Sequence, residues 1–278
     1  MNMKKVAIMY DFDKTLSNKD MQEYSLIPSL GYDDPNDFWK EVTIASKKYK
    51  MDPILSYMYM VLKKSKDGLK YENLKALGKD VEFYPGVKEY FQRINEYGKQ
   101  FDLEIEHYII SSGMKEMIKG TSIAHEFRKI YACNYLYDED TKKALWPSMV
   151  VNYTTKTQFI FRINKQVLDV NDDESLNTYV KLEDRPIPFT RMIYVGDGIT
   201  DVPCMKLVKE YGGKAIAIYD PNKEKSVNTS KRLIQDGRAN YRAVCDYSCD
   251  SEMDKIIKMI IRNIKTYEDL KDIEGINE

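Results

Sequence analysis

Histidine is almost missing from this 278-residue chain, with only His107 and His125 present. A three-histidine metal centre is therefore excluded, and acid–base chemistry falls to other side chains. Cysteine is also sparse. Cys133, Cys204, Cys245 and Cys249 include no Cys-x-x-Cys pair, and the 245/249 spacing has no second pair to complete a metal site. They read as buried free thiols in a reducing cytoplasm, which makes the sequons at Asn152 and Asn228 accidental. No stretch approaches the ~20 apolar residues of a membrane span. The short apolar run after Lys4 and Lys5 lacks both the length and the cleavage site of a signal peptide. Charge of one sign is not in excess: 43 Lys and Arg face 44 Asp and Glu, a net charge of -1. That balance speaks against a nucleic-acid surface, and the 22 Tyr read as packing residues rather than base-stacking ones. No Gly-x-x-x-x-Gly-Lys-Ser/Thr loop occurs, so a P-loop NTPase has no support.

Hydrophobic residues make up 43% and charged residues 31%, an ordinary globular composition in one large or two modest domains. Short β-branched apolar runs at 6–10, 107–110, 130–133, 192–195 and 215–219 alternate with helical patterns at 87–97, 156–167 and 202–211. Strands alternating with helices predict an α/β fold, a doubly wound parallel sheet covered on both faces. In such sheets ligands bind beyond the carboxyl ends of the strands, which singles out Asp11, Ser111 and Asp197. Residues 17–84 break the alternation. Asp34-Pro35 and Asp52-Pro53 each read as an N-cap followed by proline in the first helical turn. A helical insertion over 17–84 is expected, separating a core made of 1–16 and 85–278. Residues 134–153 read as a β-hairpin. The acidic stretch 168–190 lacks calcium-loop spacing and reads as a solvated excursion.

Four segments carry chemistry. In Asp11-Phe12-Asp13-Lys14-Thr15 an extended backbone projects Asp11 and Asp13 to one side, where two close carboxylates call for a cation or a shared proton. Oxygen ligands of this kind suit Mg²⁺. Ser111-Ser112-Gly113 offers a hydroxyl and backbone N–H groups at a strand end before a helix, a phosphate-binding corner. Gly196-Asp197-Gly198-Ile199-Thr200-Asp201 gives a tight turn beside a ligand, with Asp197 placed to complete a cation site and Asp201 to support it. Lys156 opens a helix, where its charge opposes the macrodipole unless it faces acidic groups. Lys165 is its rival.

Together these segments resemble the haloacid dehalogenase superfamily of phosphohydrolases, whose motifs run Asp-x-Asp-x-Thr, Ser or Thr, Lys, and Gly-Asp-Gly-x-x-Asp in this order. The helical insertion after the first motif resembles the cap of the phosphoserine-phosphatase-like branch. The resemblance implies a Rossmann-like core with an inserted α-helical cap and a Mg²⁺-dependent phosphatase for a small phosphorylated metabolite. It implies Asp11 as nucleophile, forming an aspartyl-phosphate, and Asp13 as acid then base. Mg²⁺ would be held by the Asp11 carboxylate, the Asp13 backbone carbonyl and the Asp197 carboxylate, with Asp201 behind them. Ser111, Ser112 and Lys156 would hold phosphoryl oxygens, and Thr15 would order the loop. Phosphoserine phosphatases carry Glu where this chain has Asp20, a candidate substrate contact shorter by one methylene. They also use a cap Arg on the substrate carboxylate, whereas residues 1–92 contain no Arg. Phosphoserine is therefore expected to be a poor substrate. A phosphotransferase or mutase with the same intermediate, and a silent phospholigand-binding protein, are the alternatives. The sequence fixes no oligomeric state.

Overall fold

The structure, a computed structural model, describes residues 3–276. Seven strands form one sheet: β1 (Lys4–Tyr10), β2 (Leu103–Met114), β3 (Phe127–Tyr137), β4 (Ala144–Met149), β5 (Met192–Gly196), β6 (Lys214–Tyr219) and β7 (Tyr241–Val244). Their order is β4-β3-β2-β1-β5-β6-β7. All neighbours are parallel except β3 and β4, which form the antiparallel hairpin expected over 134–153. Residues Val6 to Tyr10 of β1 are fully buried, as an apolar strand in the middle of a doubly covered sheet should be. The chain leaves β1 in one direction to build β2 and β3 and returns to β5 on the other side. The β1–β5 junction is thus a topological switch point, where a crevice opens beyond the strand ends.

Four helices follow β1: α1 (Leu26–Ser29), α2 (Pro35–Tyr49), α3 (Pro53–Lys64) and α4 (Tyr71–Leu77). The two Asp-Pro signals act as read. Asp34 accepts a hydrogen bond from the Asn36 N–H, and Asp52 accepts from those of Ile54 and Leu55. The later helices are α5 (Val87–Lys99), α6 (Lys115–Gly120), α7 (Lys156–Lys165), α8 (Asp173–Asn177), α9 (Val202–Glu210), α10 (Glu224–Gln235) and α11 (Glu252–Ile276). Among the described residues no helix is long and apolar enough to cross a membrane.

Several expectations need correction. The second apolar run does not stop before Ser111: β2 continues through Ser111-Ser112-Gly113 to Met114, with its register against β3 shifting between Ile110 and Met114. The three residues bulge out of the ladder, which is paired at Ile110 with Tyr131 and again at Met114 with Cys133. β7, only four residues long, gave no periodic signal. The acidic stretch is anchored rather than merely solvated. The buried Arg162 guanidinium donates to the carbonyls of Asp169, Val170 and Asp172 and to the Asp173 carboxylate. Cys133, Cys204 and Cys245 are buried free thiols, but Cys249 is exposed.

Candidate active site

Asp11 follows the last residue of β1, and its N–H donates to the Val195 carbonyl of β5 at 3.0 Å. This bond draws the first motif against the strand that delivers Asp197. The carboxylates of Asp11, Asp197 and Asp201 meet at the switch point, each with an oxygen within 4.8 Å of the others. Lys156, fully buried at the start of α7, sits between two of them. Its Nζ lies 3.1 Å from Asp11 Oδ1 and 2.8 Å from Asp201 Oδ1. Burial disfavours the ammonium, but Asp11 and Asp201 outweigh that and raise its pKa above the usual lysine value. A lysine at a helix start thus finds the acidic neighbours that its position required. Lys165 lies elsewhere, donating to the carbonyls of Leu176 and Thr178.

Asp201 is fully buried and rich in donors: Oδ1 also accepts from the Tyr194 hydroxyl at 2.8 Å, and Oδ2 from the Gly198 N–H at 3.3 Å. Gly196 makes room for this fold-back, since a Cβ there would stand 2.5 Å from Asp201 Oδ2. Burial raises the Asp11 pKa to about 6; Lys156 opposes the shift and Asp201 reinforces it. Asp197 is pushed well above the usual carboxylate range by burial and then by Asp201 and Asp11. Such crowding of carboxylates is the electrostatic state that a divalent cation relieves.

The Asp13 carboxylate stands apart from this cluster. Its Oδ1 accepts from the Met21 N–H at 2.7 Å, and burial, then Asp20 and Asp11, hold its pKa well above the usual range. Lys14 next to it has φ +57°, the left-handed region, which turns the chain sharply out of the motif and carries Nζ to Asp20 Oδ2 at 2.5 Å. Asp20 lies with Asp13 and Ser112 around a cleft of about 340 Å³, roofed by Trp39 of α2 and Tyr57 of α3. Ser111 is fully buried, its Oγ accepting from the Gly113 N–H at 3.0 Å, while the Ser112 carbonyl accepts from the Tyr57 hydroxyl at 2.9 Å. A Cβ at Gly113 would stand 2.2 Å from Met21 Cε and 3.1 Å from Asp13 Oδ2, so a larger residue there would have to displace the end of the Met21 side chain. Thr15 is buried with its hydroxyl unpartnered, and its carbonyl accepts from the Tyr247 hydroxyl.

Neither histidine belongs to this constellation. His107 is buried between Tyr10 and Asn95, and His125 lies exposed beside Glu126. Sequence reasoning brought forward Asp11, Asp13, Lys156, Asp197 and Asp201 but missed Gln22, Trp39 and Tyr57. Those three stand on separate helical turns, with no mutual spacing to connect them.

The family described as "Putative Phosphatase" matches residues 6–216, well over half of the chain. This chain belongs to that phosphatase family. A protein of Borreliella burgdorferi described as uncharacterized is 29% identical over 273 residues, 87% of this chain and 92% of that one. Among solved structures, a haloacid dehalogenase family hydrolase from Salmonella enterica serovar Typhi superposes with a TM-score of 0.59 at 15% identity, covering 94% of this chain and 72% of that chain. A phosphoserine phosphatase in apo form gives 0.55 at 16% identity over 86% and 93% of the two chains. Another, described as a phospho-aspartyl intermediate analogue of phosphoserine phosphatase, gives 0.52 at 17% over 92% and 99%. The kinship read from the four motifs therefore holds. The chain's fold is the one shared by these haloacid dehalogenase and phosphoserine phosphatase structures, as the motifs and the helical insertion implied.

Proposed function

We propose that this phosphatase hydrolyses a phosphomonoester of a small metabolite, with Mg²⁺ as cofactor and an aspartyl-phosphate on Asp11 as intermediate. The convergence of Asp11, Asp197 and Asp201 around buried Lys156 carries the reading. These donors suit Mg²⁺, being hard oxygens crowded by burial and mutual repulsion. The Asp11 and Asp197 carboxylates and the Asp13 backbone carbonyl would hold the ion, with Asp201 behind them. When bound, it offsets the repulsion between an anionic carboxylate and an anionic phosphate.

The remaining chemistry belongs to the chain. Asp11 attacks phosphorus in line, so that an Asp11 oxygen–phosphorus bond forms as the ester bond breaks. Asp13 gives its proton to the departing alkoxide, a role favoured by its raised pKa. It then takes a proton from the water that cleaves the acyl phosphate. The Met21 N–H on Asp13 Oδ1 fixes that carboxyl beside the cleft. Lys156, the Ser111 hydroxyl and the Ser112 N–H hold the phosphoryl oxygens, and Asp201 positions the Lys156 ammonium. Thr15 orders the loop. Residues 17–84 serve as a helical cap on the core, supported by Trp39 and Tyr57 facing Asp13 and Ser112 across the cleft. Free thiols at all four cysteines support a reducing, cytoplasmic setting.

A panel of phosphorylated metabolites assayed with and without Mg²⁺ tests the reading. Mg²⁺-dependent phosphate release is expected, with phosphoserine a poor substrate because neither Arg nor Lys is among the residues lining the cleft. Product analysis with an alcohol acceptor present separates hydrolysis from transfer. Release of no phosphate from any ester in the panel would defeat the reading, and efficient, selective phosphoserine hydrolysis would defeat the substrate assignment.

A further inference from the structure

One cleft residue has a hydrogen-bonding capacity that the fold leaves unmet. Gln22 is 3% exposed and lines the cleft beside Asp13 and Tyr57. The Tyr57 hydroxyl spends its only proton on the Ser112 carbonyl, at 2.9 Å. Towards the Gln22 amide beside it, that hydroxyl can therefore only accept. The Gln22 NH₂ must face Tyr57, which leaves Oε1 as a buried acceptor with no donor. Buried polar atoms without partners are rare in folded proteins because they forfeit their bonds to water.

Two neighbouring donors are already engaged. The Trp39 indole N–H goes to Glu23 Oε1 at 3.3 Å, and Lys14 is paired with Asp20. We propose that Gln22 is a specificity-determining residue, whose Oε1 accepts a hydrogen bond from an O–H or N–H on the leaving group. The preferred substrate is accordingly a phosphomonoester whose alcohol carries a donor and no second anion. A carboxylate or second phosphate there would meet two acceptors, Gln22 Oε1 and Asp20, and the nearby Lys14 ammonium is already paired with Asp20. This inference rests on the phosphatase reading of the same site.

The test compares kcat/KM for four esters of similar size: 2-hydroxyethyl phosphate, 2-aminoethyl phosphate, propyl phosphate and phosphoglycolate, with Mg²⁺. The wild type should prefer at least one donor-bearing ester over propyl phosphate by about tenfold or more, and phosphoglycolate should be the poorest. The hydroxyl and amine arms identify which donor the site takes. Gln22→Met should reduce the preference to within about twofold while retaining propyl phosphate turnover, which also reports a folded enzyme. Gln22→Glu keeps an acceptor and should keep the preference, shifted towards the amine. An unchanged preference in Gln22→Met, or none in the wild type, would overturn the inference and leave the phosphatase reading standing. If Gln22→Met does not fold, loss of the preference in a Gln22→Glu enzyme that still turns over propyl phosphate would overturn it. Hydrolysis of none of the four esters by the wild type would remove the inference together with the reading beneath it.

Discussion

At the rim of the sheet, Asp201 alone gathers an ammonium, a phenol and a backbone N–H, and Lys156 is clasped between two carboxylates. A few residues away, in the cleft beneath α2 and α3, donors run short: Gln22 Oε1 is buried and unpartnered among Trp39, Tyr57 and other apolar walls. Under the proposed function the contrast separates two tasks. Groups that act on phosphorus must be held before substrate arrives, because reorganising charge during the reaction is slow and costly. Groups that choose the leaving group can stay incomplete, since the substrate itself completes them. Substitutions at the rim should therefore damage rate and stability together, whereas those in the cleft should mainly alter selectivity.

The sharpest break is Asp11→Asn, which removes the charge of the oxygen proposed to attack phosphorus. Hydrolysis should fall by at least about 10⁴-fold while circular dichroism stays that of the wild type. Lys156→Met should lower kcat/KM by about 10²–10³-fold. It should also cost about 3–5 kcal/mol in denaturant unfolding, because Asp201 is left buried without its counter-charge. An equal loss of activity with no loss of stability would contradict the idea of a preassembled rim.

A third prediction concerns the core away from both regions. Burial lowers the His107 pKa to about 3, so the native state holds this imidazole neutral. The unfolded chain binds its proton near pH 6.5, while the folded one resists it down to about 3. Its contribution to stability is therefore complete above pH 6.5 and is lost as the pH falls from there towards 3. Between pH 7 and 4, wild type should lose more unfolding free energy than His107→Gln, by roughly a few kcal/mol in paired urea titrations. The smallest effect belongs to the cleft. Trp39→Ala should raise KM by about tenfold with kcat within a few-fold of wild type, as expected for a residue that shapes the leaving-group wall. A collapse of kcat instead would move Trp39 into the machinery of the rim.

The legible parts of the sequence were those in which local chemistry and final position coincide. The β1 run reads as a buried strand, and a carboxylate directly after it emerges at the strand's carboxyl end, where ligands bind in such sheets. The Asp-Pro caps bond to N–H groups two or three residues away, so they needed no tertiary information. Ser111 was misplaced at a strand end because its polarity suggested termination, whereas pairing with β3 carries the strand to Met114. Lys156 and Lys165 were not separable by residue type. Nine positions apart on α7, one enters the carboxylate cluster and the other reaches the carbonyls around α8.

By itself, then, the sequence determined the alternation of strand and helix, the helical insertion, and the residue types able to carry phosphoryl chemistry, because propensity, capping and motif order are properties of the chain. Only the tertiary structure decided that β5 lies beside β1 and brings Asp197 to Asp11. It also decided that Lys156 neutralises Asp201, and that Gln22 reaches the cleft with one oxygen unanswered. These pairings join residues tens to hundreds of positions apart. Which of them form depends on strand order and on the packing of α2 and α3, which no local pattern encodes.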